Sequence, residues 1–416
     1  TVKVGDRSYP RDQWTNVTPT ILSRTSTQLH RQSGHPLNIL AQRVRATFPD
    51  FAFHDTLDPD VTVKANFDDL GFLPDHPGRS RGDTYYLNGS HVLRTHTSAH
   101  QADLIRAGEH KFLVAADVYR RDEIDSSHYP VFHQIEGLKL FNASSIDSES
   151  LGDGAGVGRR ADEGLVHVVD DSGPTAANTV QKDHTRNNSL YLAEDLKKEL
   201  ERLVVELFRG APGRSNETPL KIRWVEAYFP FTSPSWELEV EWEGKWLELL
   251  GCGVIQQDLI RTAGLGDNHI GWAFGLGLER LAMVLFGIPD IRLFWSQDPR
   301  FLSQFTEGKI TQFKPFSRHP PCIKDVSFWV PPAQESHIAC SWTENDLMEV
   351  IREVAGDMVE DVKLVDSFKH PKTHRESLCY RITYRSMDRN ITNEEINKTQ
   401  EKVREQLTSR LKVELR

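Results

Sequence analysis

From Trp236 to Trp242 apolar and acidic residues alternate without a break, with Trp236, Leu238, Val240 and Trp242 on one side and Glu237, Glu239 and Glu241 on the other. A period of two is the pattern of a strand with one buried face, and a slip of one residue would turn every tryptophan into water. Glu243-Gly244-Lys245 then turns the chain, and residues 246–250 return as a second strand. Residues 270–274 read as a further strand that runs through Gly275 into a helix over 276–286. Residues 112–120 and 132–141 read as another antiparallel pair, joined by a polar loop (121–131) long and mobile enough to close over a ligand. The fold class that follows is α+β, built on a mostly antiparallel sheet flanked by helices.

Two helices frame that sheet. Residues 36–48 open with Pro36, turn Ile39, Leu40 and Val44 inward and close at Pro49. Residues 188–208 carry Leu192, Leu196, Leu200, Leu203, Val204, Leu207 and Phe208 on one face at helical spacing, and core packing accounts for that stripe. Between 142 and 186 serine, glycine and aspartate dominate and aromatic residues are missing, which marks a flexible acidic insertion. Its Gly152-Asp153-Gly154-Ala155-Gly156-Val157-Gly158 run is not read as a phosphate loop, because no strand leads into it and no helix follows directly.

Beyond Arg300 the periodicity changes to a strand (323–330), a helix (344–355), strands 359–368 and 377–384, a helix (393–411) and a last strand (411–416). That order is the split βαββαβ arrangement of a ferredoxin-like domain. The chain thus divides into an N-terminal extension (1–35), a core domain (36–300), a linker (301–320) and a ferredoxin-like domain (321–416).

The formal net charge of −10 excludes a protein that coats nucleic acid through overall charge. The tail is the relatively basic part: residues 311–416 hold 17 Lys and Arg against 17 Asp and Glu, so the excess of acid lies before Thr311. Cys252, Cys322, Cys340 and Cys379 lack the paired spacing of a zinc site or a disulfide framework, which points to a reducing compartment. No apolar run approaches the ~20 residues of a membrane helix, and the N-terminus shows no signal-peptide pattern. Thr1 as first residue suits a processed organellar protein and a trimmed chain equally.

Three stretches are hard to explain as packing: Tyr119-Arg120-Arg121-Asp122 with Phe132-His133-Gln134-Ile135-Glu136, then Tyr228-Phe229-Pro230-Phe231, then Gly275-Leu276-Gly277-Leu278-Glu279-Arg280. They set two arginines, two hydrogen-bonding side chains and two rings on strands and a helix start, as a site for a polyphosphate beside an aromatic amino acid requires. The planar fork of Arg120 at a strand end matches two phosphate oxygens. Phe132, Gln134 and Glu136 share one strand face, where an amide and a carboxylate suit an ammonium group and a ring suits a flat heterocycle. Gly275 and Gly277 permit close backbone approach at a strand-to-helix junction, from which Arg280 reaches the same cleft. Taken singly, each has a plainer explanation: an arginine paired with Asp122 or Glu123, a solvated sheet face, a pair of capping glycines.

The first stretch resembles the second signature of class II aminoacyl-tRNA synthetases, and Gly275 to Arg280 resembles the third. Arg94-Thr95-His96-Thr97-Ser98, Asp125-Ser126-Ser127-His128, Phe132-His133-Gln134-Ile135-Glu136 and Tyr228-Phe229-Pro230-Phe231-Thr232 are similar to catalytic segments of phenylalanyl-tRNA synthetases. Arg381-Ile382-Thr383-Tyr384-Arg385 and Asp388-Arg389-Asn390-Ile391-Thr392 are similar to their anticodon-binding domain. The likeness spans about 36–141 and 191–416, and a catalytic unit and tail in one chain is the layout of the monomeric organellar form.

The resemblance implies a class II antiparallel sheet flanked by helices, plus a C-terminal ferredoxin-like anticodon-binding domain. It implies ATP-dependent attachment of phenylalanine to tRNA(Phe) through a phenylalanyl-adenylate, by a monomer of the mitochondrial matrix or plastid stroma, with Mg2+ and no membrane. Arg120, Arg280, Gln134 and Glu136 are the catalytic set it implies. Arg120 binds the α-phosphate, Ser127, His128 and Tyr129 contact the nucleotide, Phe132 and Arg280 hold adenine between ring and guanidinium, and Glu248 takes the magnesium. His96, Ser98, Ala99, His100, Gln101, Gln134, Ile135 and Glu136 surround the amino acid, while Phe229, Phe231, Ala273 and Phe274 line its side-chain pocket. Ala273 closes that pocket against tyrosine, with no separate editing site expected. Positioning and charge stabilisation supply most of the acceleration. In the tail Lys372, Arg375, Arg381, Arg385 and Arg389, interleaved with Phe368, Tyr380 and Tyr384, suit single-stranded RNA. Two other readings stay open: a class II synthetase for another aromatic amino acid, and a catalytically silent RNA-binding paralogue.

Overall fold

The computed structural model describes residues 1–146, 165–172, 178–213, 218–315, 319–331 and 343–416. The glycine run 152–158 lies outside the described residues. An eight-stranded sheet organises the core domain: β1 (Ala52–His54), β2 (Lys111–Tyr119), β3 (Val131–Asn142), β4 (Val166–Val169), β5 (Leu220–Phe229), β6 (Thr232–Trp242), β7 (Lys245–Ile255) and β8 (His269–Gly277). The spatial order is β1-β2-β3-β8-β7-β6-β5-β4, antiparallel except for the edge pairs β1/β2 and β4/β5.

One face of the sheet is covered by α1 (Pro36–Thr47), with α2 (Gln101–Arg106) lying elsewhere, and by α3 (Arg186–Phe208) and α4 (Leu278–Phe286). The leucine stripe of α3 meets Trp236, Leu238 and Val240, so the alternation in β6 does bury its apolar side. Pro36 starts α1 beneath a cap from the His35 ring to the Leu37 N–H (3.2 Å), and Thr185 caps α3. The opposite face is covered only in part, by a smaller cluster of Leu104, Ile105, Phe112, Val114, Leu138, Leu259 and Ile260. The uncovered remainder is open to solvent and holds the cavity described below.

The segment expected to be a flexible insertion (142–186) needs correction among its described residues. Val166–Val169 adds β4 to the sheet edge by parallel pairing with β5. Asn178 exchanges hydrogen bonds with the Ser235 backbone (2.9 and 2.7 Å), and Lys197 of α3 is buried between Asp170 (2.9 Å) and the rings of Trp224 and Trp236. Composition reports polarity, whereas pairing with a strand more than fifty residues away is not a local property. The expected linker is likewise packed over its first part: Phe301, Phe305, Ile310 and Phe313 are buried in the main core.

The tail comprises β9 (Cys322–Trp329), α5 (Glu344–Ala355), β10 (Val359–Lys369), β11 (Glu376–Tyr384), α6 (Asn393–Leu411) and β12 (Glu414–Leu415). Its antiparallel sheet runs β10-β11-β9-β12, with Val326, Phe328, Tyr380, Ile382 and Tyr384 buried in one cluster with residues of both helices. The other face of this sheet is left uncovered by them.

The loop expected to close freely over a ligand (121–131) is instead fastened to the tail. Glu349 of α5, buried, accepts from Tyr85 Oη (2.7 Å) and Arg352 (2.9 Å) and lies 3.9 Å from Arg121. Arg121 reaches Asp346 (3.0 Å), Arg352 donates to the Asp122 carbonyl (2.7 Å), and the Tyr129 hydroxyl donates to Asp357 (2.7 Å). Ile124 packs in the tail core and its carbonyl accepts from the Val362 N–H (3.1 Å). These partners lie more than two hundred residues away in sequence, so no local pattern announces them. Glu349→Leu leaves two buried arginines without their shared counter-charge and is expected to cost about 3–5 kcal/mol in urea unfolding. Glu353→Leu, which breaks the more exposed pair with Arg410, is expected to cost under about 1 kcal/mol in the same measurement.

Candidate active site

Small residues open the uncovered face. Gly251 on β7, and Ala273 and Gly275 on β8, border a cavity of about 470 Å³, a volume suited to a small ligand. The Phe229 ring lies directly on Gly251, where a Cβ would come within 2.6 Å of it. Phe229 stacks on Phe231 (centroids 5.8 Å apart), and Phe231 in turn meets Phe72 (6.2 Å) and His96 (6.4 Å). These rings form an aromatic box beside Ala273.

Gln134 and Glu136 project into the cavity from β3, as alternate residues of one strand face. Glu136 is buried and accepts from Gln101 (2.7 Å), Thr97 (3.1 Å) and Ser98, with no cation paired to it among the described residues. Burial pushes its carboxyl up to about 7 even though the three donors pull it down. His96 lines the same cavity, and burial with the nearby Arg120 charge lowers it to about 3, so it is neutral. Its ring lies parallel to Phe72 at 5.7 Å.

Arg120 enters from the end of β2. Its Nε donates to the Thr95 carbonyl (2.8 Å), its guanidinium lies 5.2 Å from the Phe132 ring centroid, and its terminal nitrogens make no hydrogen bond among the described residues. A buried network aims it: Arg94 donates to the Asp117 backbone (2.6 Å), to the Leu57 and Asp58 carbonyls (2.9 and 2.8 Å) and to the Asp117 carboxylate, which also takes the Tyr119 hydroxyl. At the other side of the cleft, Glu279 accepts from the His133 N–H (2.8 Å) and faces its Nδ1 (2.7 Å), fastening the start of β3 to the start of α4. Arg280, next in sequence, is exposed and lies 3.5 Å from Glu248, which borders the cavity. Burial and then the charges of Glu248 and Glu239 raise Glu237, so the carboxylates here repel one another.

Several expected site residues lie elsewhere. Ile135 points through the sheet into the main core, whereas Phe274, whose ring stacks on Phe48 at 5.6 Å, packs in that core and also borders the cavity. Ala99 packs on Val61, Tyr86 and Val92, and His100 faces Arg94 (3.0 Å), with burial lowering it to about 3. Ser127 and His128 hold Asp125 (2.9 and 2.8 Å) outside the cavity. Tyr129 stacks on Trp295 (5.3 Å), held by its bond to Asp357. Phe72, His76 and Thr97 border the cavity without having been expected; Thr97 is adjacent to Ser98, and the other two sit in a stretch whose Gly and Pro content reads only as a surface connection.

The tail also differs from expectation. Tyr380 and Tyr384 are buried, Arg381 is paired with Asp325 (2.9 Å to each oxygen), Arg385 with Glu360 (2.6 Å) and Arg389 with Glu395. The free sheet face instead groups Trp329, Phe368 and His370, with centroids 6.2 to 6.3 Å apart. Arg375 and Arg416 lie over Trp329 at 5.2 and 5.6 Å, and Lys372 sits in the adjoining turn. Trp329 shares a β9 face with Ser327 and Asp325 and alternates with the buried Phe328 and Val326, the signal that would have found it.

Residues 20–148 and 189–305 match the family model for the tRNA synthetases class II core domain (F), and residues 317–416 match the ferredoxin-fold anticodon binding domain. The mitochondrial phenylalanine–tRNA ligase of Saccharomyces cerevisiae is 46% identical over 100% of this chain and 95% of its own. The chain belongs to the phenylalanine–tRNA ligase family. The mitochondrial ligase of Mus musculus is 47% identical over 98% of this chain and 87% of its own, and the chloroplastic/mitochondrial ligase of Arabidopsis thaliana is 47% identical over 97% and 83%. The cavity of this phenylalanine–tRNA ligase lies wholly within the part that matches the class II core.

An ammonium group would pair with the ionised form of Glu136, so KM for phenylalanine is expected to be flat above pH 7 and to rise as pH falls below it, approaching tenfold per pH unit. Glu136→Gln is expected to remove that slope while raising KM throughout. Initial rates of phenylalanine-dependent pyrophosphate exchange between pH 5.5 and 8.5 check both; a slope that survives in Glu136→Gln contradicts the assignment.

Proposed function

We propose that the cavity activates phenylalanine with ATP and that the uncovered sheet face of the tail binds the RNA. The observation that carries this reading is a buried carboxylate without a cation, set beside an aromatic box and across from a guanidinium whose terminal nitrogens are free, both among the described residues. The protein is a phenylalanine–tRNA ligase, and it works in the mitochondrial matrix; relatives in yeast and mouse are named mitochondrial. No helix of the described residues is long and apolar enough to cross a membrane.

The substrate ammonium docks on Glu136 with Gln134 alongside, its ring enters between Phe229, Phe231 and Ala273, and its carboxylate is directed toward Arg120. A carboxylate oxygen attacks the α-phosphorus of ATP, and the bond to pyrophosphate breaks with the electron pair leaving on pyrophosphate. A terminal ribose hydroxyl of the tRNA then attacks the carbonyl carbon, the ester forms, and AMP leaves with the bonding pair while the hydroxyl proton passes to solvent. Arg120 neutralises the phosphate charge in the first step, and Arg280 offers its guanidinium plane to adenine. Positioning supplies most of the acceleration.

Glu248 and Glu237 are oxygen donors of the hard type that Mg2+ selects, and their mutual repulsion fits a site that accepts a cation. When bound, the ion neutralises phosphate charge. Residues 36–300 then form the catalytic domain and 321–416 the anticodon-binding domain, with one chain sufficient for activity. On the tail, Trp329 and Phe368 make the stacking surface and Lys372 the phosphate contact. Arg375, paired with Glu414 (2.6 Å), and Arg381, Arg385 and Arg389, paired likewise, add little.

Purified chain is expected to exchange pyrophosphate with phenylalanine about 100-fold better than with tyrosine in kcat/KM, and to charge organellar tRNA(Phe) alone. Exchange with a different amino acid, or none, contradicts the reading. Trp329→Ala is expected to raise KM for tRNA about tenfold; an unchanged KM removes the tail assignment.

A further inference from the structure

Tyr228 belongs to the run that supplies Phe229 and Phe231, yet activation of the amino acid leaves it without a task. Its ring is 84% exposed, more than any other large hydrophobic side chain described, and its phenol makes no hydrogen bond among the described residues. Two features of the backbone put it there. The β5/β6 register shifts between Ala227 and Phe229, where Ser233 and Pro234 of β6 stand opposite Tyr228 alone, a bulge of the kind that re-aims side chains beside a site. The next residue is pinned, because the Phe229 ring rests on Gly251 and stacks on Phe231. Tyr228 is thereby held at the mouth of the cavity, facing water.

We infer that Tyr228 stacks on the base of the terminal nucleotide of the tRNA during transfer. This rests on the reading above. The attacking hydroxyl belongs to the terminal ribose, so its base is one glycosidic bond away from an oxygen that must reach the carbonyl inside the cavity. With about 470 Å³ taken up by the adenylate, that base remains at the mouth, where Tyr228 stands. Every base offers a π-face, and a ring that gives up its water to one gains area on both sides.

The test compares two steps in Tyr228→Ala, Tyr228→Phe and Tyr228→Trp. Tyr228→Ala is expected to leave phenylalanine-dependent pyrophosphate exchange, measured without RNA, within twofold. Single-turnover transfer from preformed adenylate to subsaturating tRNA is expected to slow about 10- to 100-fold. The two aromatic variants are expected to retain transfer, which a need for the hydroxyl or a structural role would not predict. Unchanged transfer in Tyr228→Ala overturns the inference. Exchange that falls as far as transfer also overturns it, since the ring would then cover the amino acid. Absence of phenylalanine exchange in the unaltered protein would instead overturn the functional reading itself.

Discussion

A carboxylate buried without a counter-charge among the described residues is the constraint on which the site depends. Glu136 gains three neutral donors from Thr97, Ser98 and Gln101, but these do not offset the loss of water, and its proton affinity rises toward neutrality. Such a group is costly to a fold unless a ligand completes it. The surrounding sheet is shaped to leave it uncovered: Glu136 stands opposite Gly275 on β8, and Ala273 and Gly251 keep the space beside it free of side chains. The same small residues give the aromatic rings their seat. An amino acid with an ammonium group and a flat side chain therefore satisfies two requirements at once.

Arg120 and Gln134 are held by residues that do not themselves border the cavity. Arg94 and Asp117 are both buried, and their network fixes the end of β2 that carries Arg120. Glu279 and His133 tie the strand bearing Gln134 to the helix bearing Arg280. Catalysis that works by placing two substrates in line gains more from such rigidity than from any reactive side chain. The tail domain contributes a third restraint, since Asp346, Glu349, Arg352 and Asp357 hold the loop between β2 and β3.

Much of this was legible in the letters because it is local. The alternation in β6, the leucine stripe of α3 and the strand and helix order of the tail are periods of two and 3.6 that need no partner to be seen. Arg120, Gln134 and Glu136 border one cavity because a strand end and a strand face set them there. The errors have equally plain causes. Ile135 follows Gln134 directly, and the period of two sends it through the sheet into the core. Tyr129, Arg381 and Arg385 find carboxylates or rings on distant segments, and Val166–Val169 finds a distant strand edge. Such pairings depend on register and docking, which no single stretch of sequence records.

The most direct measurement is a carbon NMR titration of glutamate carboxyls, with Glu136 assigned by the loss of its signal in Glu136→Gln. In the free protein the Glu136 carboxyl should titrate near pH 7, and saturating phenylalanine should draw that midpoint below about 6 as the ammonium group stabilises the charged form. A midpoint that phenylalanine leaves in place, or raises, would contradict the account.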